Sequence, residues 1–269
     1  MLSFQVWVQC DNTVPDKRIA TAWILLRKKP SYGYDSATYK RKEFIQDSCF
    51  FGFFRELNPS EYYINPLVGF IGLKINVPEN YAVAVTYETY DGKKYGEGKY
   101  ETNGNETMIL KMIKCPNQSP DATPRAWELK MKNVYRLPIN YINQFNFRLS
   151  VKYLYNEIHT DTIYQYYLDT IPTTSWPIKQ MLSIDRYTGT ARRWNPDGIF
   201  DFIEGRTIIS ETGDIIFPTL KPFSEGLSKA GLDSNYIFNE LYERRKSDAQ
   251  ISHKANYYFL KGYSQGNKY

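Results

Sequence analysis

The chain has 269 residues, 34 basic against 29 acidic and a formal charge of +5, with the two signs interspersed. Length does not limit the core, since all-β domains often run to about 200–250 residues, and the modest charge in short runs such as Arg27-Lys28-Lys29 and Arg244-Arg245-Lys246 builds no continuous basic face for nucleic acid. Aromatics make up 16% of the chain, with 24 Tyr against 15 Phe, which favours strands over helical bundles and predicts an all-β, β-dominated fold.

Leu2, Phe4, Val6 and Val8 alternate with Ser3, Gln5, Trp7 and Gln9, the period-two pattern of a strand with one dry face carried by the first set. That start is not a signal peptide, and a chain opening directly on a strand reads as part of a longer one. Residues 19–26 read as a second, more buried strand. Residues 28–48 lose periodicity and read as a long surface excursion, with Tyr32-Gly33-Tyr34 packed in it. Asn58-Pro59-Ser60-Glu61 is a turn or a one-turn helix, with Ser60 able to cap. Residues 67–77 and 81–90 follow as strands. Asp91-Gly92 predicts a hairpin with a type I′ turn, which needs positive φ at both central positions. Residues 108–113 form another apolar strand, and the proline-rich stretch 116–125 is the softest place for a boundary, dividing 1–115 from 126–269 if the chain is not one module.

Phe145, Phe147, Leu149, Val151 and Tyr153 alternate with polar neighbours and predict a strand with one wet and one dry face. Residues 162–168 return beside it. Residues 178–184 and 237–244 carry apolar side chains at helical spacing and predict short helices, and residues 255–263 close as a strand. About ten to twelve short strands with few helices predict sandwich-like antiparallel sheets packed face to face, and the lack of a strand series with lipid-facing alternation and aromatic girdles predicts a non-barrel module. No apolar run approaches the ~18 residues of a membrane-spanning helix.

The chemistry in the sequence is sparse. No Gly-x-Ser-x-Gly, phosphate-binding Gly-rich loop or His-Glu-x-x-His occurs, so no enzyme is predicted. His159, between Glu157 and Asp161, has the neighbours of a general base but no partnered nucleophile, and reads as an exposed loop histidine. Cys10, Cys49 and Cys115 lack zinc-ligand spacing; they form one disulfide in an oxidising compartment or remain buried or half-exposed thiols. Asn195, Asp197 and Asp201 place oxygens at positions one, three and seven of a loop with Gly198 at position four, the pattern of compact calcium loops. The neutral Asn195 and the lack of a bidentate glutamate leave a second reading, a plain Asp197-Gly198 turn with Asp201 hydrogen-bonding backbone. Beyond calcium no cofactor is expected. Tyr62-Tyr63, Tyr164 with Tyr166-Tyr167, and Tyr257-Tyr258 offer stacking platforms for sugars, although adjacent strand residues point to opposite faces and half of these are expected in the core.

An ordered series of blocks adds a resemblance. Phe4-Gln5-Val6-Trp7-Val8 and Lys17-Arg18-Ile19-Ala20 are followed by residues 57–63, 66–71, 82–87 and 91–95, then by Trp127 to Tyr135 and Asp185-Arg186. The series ends in residues 195–223, an acidic turn, a short hairpin and a proline-punctuated exit. Together these resemble the SprA/Sov family of outer-membrane translocons of the type 9 secretion system, large β-barrels that export cargo bearing a C-terminal sorting signal and serve gliding motility. The chain is similar to that family's N-terminal-type module. The resemblance implies a non-catalytic structural or gating module, associated with the outer membrane on its periplasmic or extracellular side, with the rest of the translocon barrel, a PorV-type barrel, a plug protein or exported cargo as partners. Residues 28–54 are shorter than the family leads one to expect, through a naturally reduced loop or a truncation. The alternative is a cell-surface binding module, carbohydrate-binding or adhesin-like. Open-reading-frame length separates the two, since a translocon gene is many times longer than this segment.

Overall fold

The computed structural model describes residues 3–25, 47–97, 106–159, 162–188 and 193–264. The expected excursion over residues 28–48 and its Tyr32-Gly33-Tyr34 lie almost wholly outside these. The chain divides into two compact units, residues 1–64 with 71–130, and residues 65–70 with 131–269.

The first unit holds β1 (Ser3–Gln9), β2 (Arg18–Trp23), β3 (Cys49–Glu56), β4 (Tyr62–Asn65), β5 (Phe70–Leu73), β6 (Val83–Glu88), β7 (Lys94–Tyr95) and β8 (Met108–Lys114), although the tip of the β4–β5 hairpin clusters with the second unit. Its main sheet runs β1-β3-β2-β8-β6, and β1 also pairs with β6 along Ser3–Val8, so five strands close on themselves. Only β2 and β8 run parallel; the other barrel pairs are antiparallel. This corrects the expectation of a non-barrel sandwich: the β-dominated content stands, but the first sheet is a closed barrel.

The residue types explain the closure. Five strands enclose little space, and small side chains must alternate with a few large ones to fill it. Trp7, Phe54, Met108, Leu110 and Met112 fill the interior, and Ala20, Ala22, Ala82 and Ala84 make room for them. The opposite row of β1 is also dry, because Val6 and Val8 pack with Leu57, Val83 and Val85 in a second layer with Ile71 and Leu73 of the β4–β5 hairpin. Trp7 thus belongs to the barrel core, although its row in the sequence reads as the wet one.

The Asp91-Gly92 hairpin forms, pairing Tyr87 with Tyr95 and Glu88 with Lys94. Its turn differs from type I′. Only Gly92 has positive φ, at 75°, Gly92 N donates to Thr89 O and Thr89 N to Lys93 O, which is a three-residue loop ending in a left-handed glycine.

The second unit contains β9 (Val134–Arg136), β10 (Phe147–His159), β11 (Thr162–Leu168), β12 (Tyr187–Thr188), β13 (Arg193–Trp194), β14 (Ile208–Ile209), β15 (Asp214–Ile216) and β16 (Tyr258–Ser264). Two three-stranded antiparallel sheets, β11-β10-β16 and β14-β15-β9, accompany the β12–β13 hairpin. The core takes Phe147, Leu149, Val151 and Tyr153 from the dry face of β10, as their alternation predicts, together with Ile178, Ile184, Ile215, Phe217 and Phe223. Phe145 departs from that row: it sits in a 3-10 turn, Gln144–Asn146, and is exposed. The predicted helices form as single turns at Ile178–Met181 and Glu240–Glu243, a further short helix spans Lys246–Ile251, and the first unit has one at Pro124–Leu129. Among the described residues no helix is long and apolar enough to cross a membrane, which says nothing about strands.

Candidate functional site

Two carboxylates tie together the described residues of the tract from Asp185 to Asp201 in the second unit. Asp185 is 1% exposed; its Oδ1 accepts from Asp197 N at 3.1 Å and its Oδ2 from Gly198 N at 3.1 Å. Asp201 answers from the other side, accepting from Arg186 N at 2.7 Å and Tyr187 N at 3.3 Å. Each segment therefore supplies the carboxylate that holds the other's backbone. Asp197 Oδ1 accepts from Ile199 N at 2.9 Å, an Asx turn that leads through Gly198 at φ 80°, and the carbonyl of Gly198 accepts from Lys179 Nζ. The carbonyl of Asn195 accepts from the Thr188 hydroxyl.

The predicted calcium donors are thus neighbours along one loop, and the carboxylates of Asp197 and Asp201 both turn toward backbone N–H groups. A calcium ion takes six to eight oxygens, whereas an N–H group presents the positive end of its dipole where a cation would sit. Among the described residues no cluster of three or more His, Cys, Asp or Glu side chains is placed to hold a metal ion. The part played by Asp185 escapes sequence reasoning, because its partners lie twelve and thirteen positions away and depend on the β12–β13 turn-back.

Electrostatics single out Asp201. Burial pushes its carboxyl above the ordinary value of 3.8, the Arg186 and Tyr187 N–H groups pull it down, and the negative Asp185 and Asp197 raise it again. A group whose folded pKa is raised takes up protons on folding, so the stability it contributes is complete below its unfolded pKa and is lost as pH rises through the folded value. A carboxyl-carbon NMR titration is expected to place Asp201 above an ordinary aspartate, and Asp201→Asn should flatten the stability profile across that window. Titration at or below 3.8 would contradict this account.

Aromatic groups border the loop. The guanidinium of Arg186 lies 4.5 Å over the ring of Trp194, and Tyr187 meets Trp194 edge-on at 5.8 Å. Trp194 and Trp176 are exposed. The tyrosine pairs behave differently from one another. Tyr62, Tyr63, Tyr257 and Tyr258 are half-buried, whereas Tyr164, Tyr166 and Tyr167 are all exposed, because β11 pairs with the half of β10 that runs past the core and both of its faces stay wet.

His159 is exposed near the end of the β10–β11 hairpin, with Nε2 3.0 Å from Glu157 Oε1 and its ring against Tyr164. His253 packs its ring against Tyr257. Cys10, Cys49 and Cys115 are free and buried, and burial pushes the Cys115 thiol up to about 12, which suppresses thiolate chemistry at neutral pH. No protein-family description matches this chain, and no curated protein sequence matches it either.

Proposed function

We propose that this chain is a structural, non-catalytic module of an SprA/Sov-like outer-membrane translocon, holding its shape within the type 9 secretion apparatus and contacting cargo or a partner such as a PorV-type barrel or a plug protein. The observation that supports this reading is where the blocks of the resemblance fall. Several of them lie on residues that hold backbone or core in place. Val6, Trp7 and Val8 are buried in β1, Ala82 to Val85 are buried around the start of β6, Trp127 is buried in the helix Pro124–Leu129, and Asn133 is buried just before β9. The last block contributes the Asp201 staple and the buried β14–β15 strands. Ligand-contacting motifs would instead concentrate on exposed loops. A scaffold role makes sense of a long, ordered series whose buried members build the barrel wall and the Asp201 staple.

Under this reading the protein acts at the outer membrane as one part of a larger assembly. Deleting the module from an otherwise full-length translocon is expected to reduce export of cargo bearing the C-terminal sorting signal while the barrel remains in the outer membrane. Unchanged export from a barrel shown to be assembled overturns the proposal.

A further inference from the structure

The sheet β11-β10-β16 has two edges, and only one is protected. Natural edge strands discourage unwanted pairing with a charge, a proline or a bulge, and a glycine weakens the strand that carries it. The β16 edge carries Lys261 and Gly262. The β11 edge carries none of these: Thr162, Ile163, Tyr164, Gln165, Tyr166, Tyr167 and Leu168 are uncharged, six of the seven are exposed, and among the described residues the strand pairs with β10 alone.

The register shows which backbone groups face outward. Leu154 N donates to Tyr257 O on the β16 side, so the odd residues of β10 direct their backbone groups toward β11. Their partners are Thr162 (opposite His159), Tyr164 (opposite Glu157), Tyr166 (opposite Tyr155) and Leu168 (opposite Tyr153). Ile163, Gln165 and Tyr167 therefore present N–H and C=O to the open edge.

We infer that β11 is a self-association edge, pairing antiparallel with β11 of a second copy of this chain about a two-fold axis at Gln165. The strand is complementary to itself in that register. Gln165 faces Gln165 of the second copy as a hydrogen-bonded pair, Ile163 faces Tyr167, Tyr164 faces Tyr166 and Thr162 faces Leu168. No charge meets a like charge, and aromatic pairs lie across the join, each adding about 0.2–1 kcal/mol. A strand without charge has nothing with which to select a charged foreign peptide, whereas its own sequence fits at every position. Three half-exposed tyrosines, each with about 200 Å² to bury in full, offer roughly 300 Å² per copy. With Ile163 and the backbone edge, the ceiling over two copies is of the order of 1,000 Å², the lower limit for a specific interface, and edge pairing, which leaves both sheet faces open, buries only part of it. The dimer is therefore weak and dependent on concentration, and it joins the two three-stranded sheets into one of six strands.

Sedimentation of the full chain over a concentration series is expected to show a reversible monomer–dimer equilibrium. Gln165→Pro removes an outward N–H without touching the β10 ladder, so it should leave a folded monomer with an unchanged far-ultraviolet spectrum. Gln165→Cys tests the register directly. Facing Cα atoms of a hydrogen-bonded pair lie about 5.5 Å apart, within disulfide reach, so mild oxidation with copper–phenanthroline, which accepts the two electrons, should cross-link that variant into dimers. Ile163→Cys should not cross-link, because its counterpart lies four residues along the strand, about 13 Å away. A chain monomeric at every concentration, a dimer unaffected by Gln165→Pro, or equal cross-linking at both positions would overturn the inference.

Discussion

Alanine at Gly213 is expected to cost about 4 kcal/mol of stability in the β9-β15-β14 sheet, a loss at the upper end for a single substitution. Gly213 closes the turn between β14 and β15 at φ 71°, a conformation that costs an L-residue roughly 1–2 kcal/mol. The larger part is steric. A Cβ there would lie 2.1 Å from the carbonyl oxygen of Ile139 and 3.3 Å from that of Leu137, and both obstacles are backbone. Relief requires residues 137–139 to move away, which endangers the bond from Leu137 N to Gly213 O at 3.0 Å and, beside it, those from Tyr141 N to Glu211 O and Ile142 N to Ser210 O. Gly198 is the internal control: its φ of 80° is as unfavourable, but nothing lies within 4 Å of the added carbon, so Gly198→Ala should cost only about 1 kcal/mol. Amide exchange of β9 and β15 reads the difference locally, which suits a chain of two compact units. Equal losses at the two glycines would refute the steric argument.

Trp7→Ala should destabilise the barrel by about 3–5 kcal/mol, because a fully buried indole is replaced by a cavity that the surrounding strands close only in part. The alanines at 20, 22, 82 and 84 are too short to reach into the space, and Phe54, Met108, Leu110 and Met112 can relax into it only in part. Trp7→Phe should cost far less. Its Nε1 is buried with no hydrogen-bond partner among the described residues, and removing an unpaired buried N–H recovers about 1–3 kcal/mol against the lost volume. Protection of β1 and β6 amides against exchange measures both variants. A Trp7→Ala cost below about 1 kcal/mol, the range of surface substitutions, would place Trp7 outside the core.

Trp7 also shows how far the sequence can be read. The alternation along β1 correctly predicts a strand and correctly makes Val6 and Val8 dry, yet it assigns Trp7 to the wet row. Period-two alternation reports one buried face, whereas a barrel strand covered by a second layer has two. The Asp91-Gly92 hairpin was legible because its signal lies within a few residues; the turn type was not, because a three-residue loop satisfies the same glycine. Residues 162–168 were legible as a strand, but their exposure on both faces depends on how far β10 extends beyond the core.

The polar loop divides in the same way. Gly198 and Asp197 announce a turn by residue type alone, and the alternative reading of Asp201 as a partner of backbone is what the geometry displays at Arg186 and Tyr187. Asp185 could not be found as the reciprocal partner, since nothing in its immediate neighbours distinguishes a buried carboxylate from a solvated one.

The β-dominated class, the places of the longer strands and the two glycine-bearing turns at Gly92 and Gly198 follow from local pattern, because each rests on side-chain periodicity or on backbone freedom at one residue. Tertiary structure decided the closure of the first sheet, the exchange of carboxylates between Asp185 and Asp201, and the bare edge of β11. Each of these depends on which distant strand becomes a neighbour: β1 must pair with both β3 and β6 before its second face has an interior to fill. Local pattern says that a residue can be buried, and only the pairing of strands says against what.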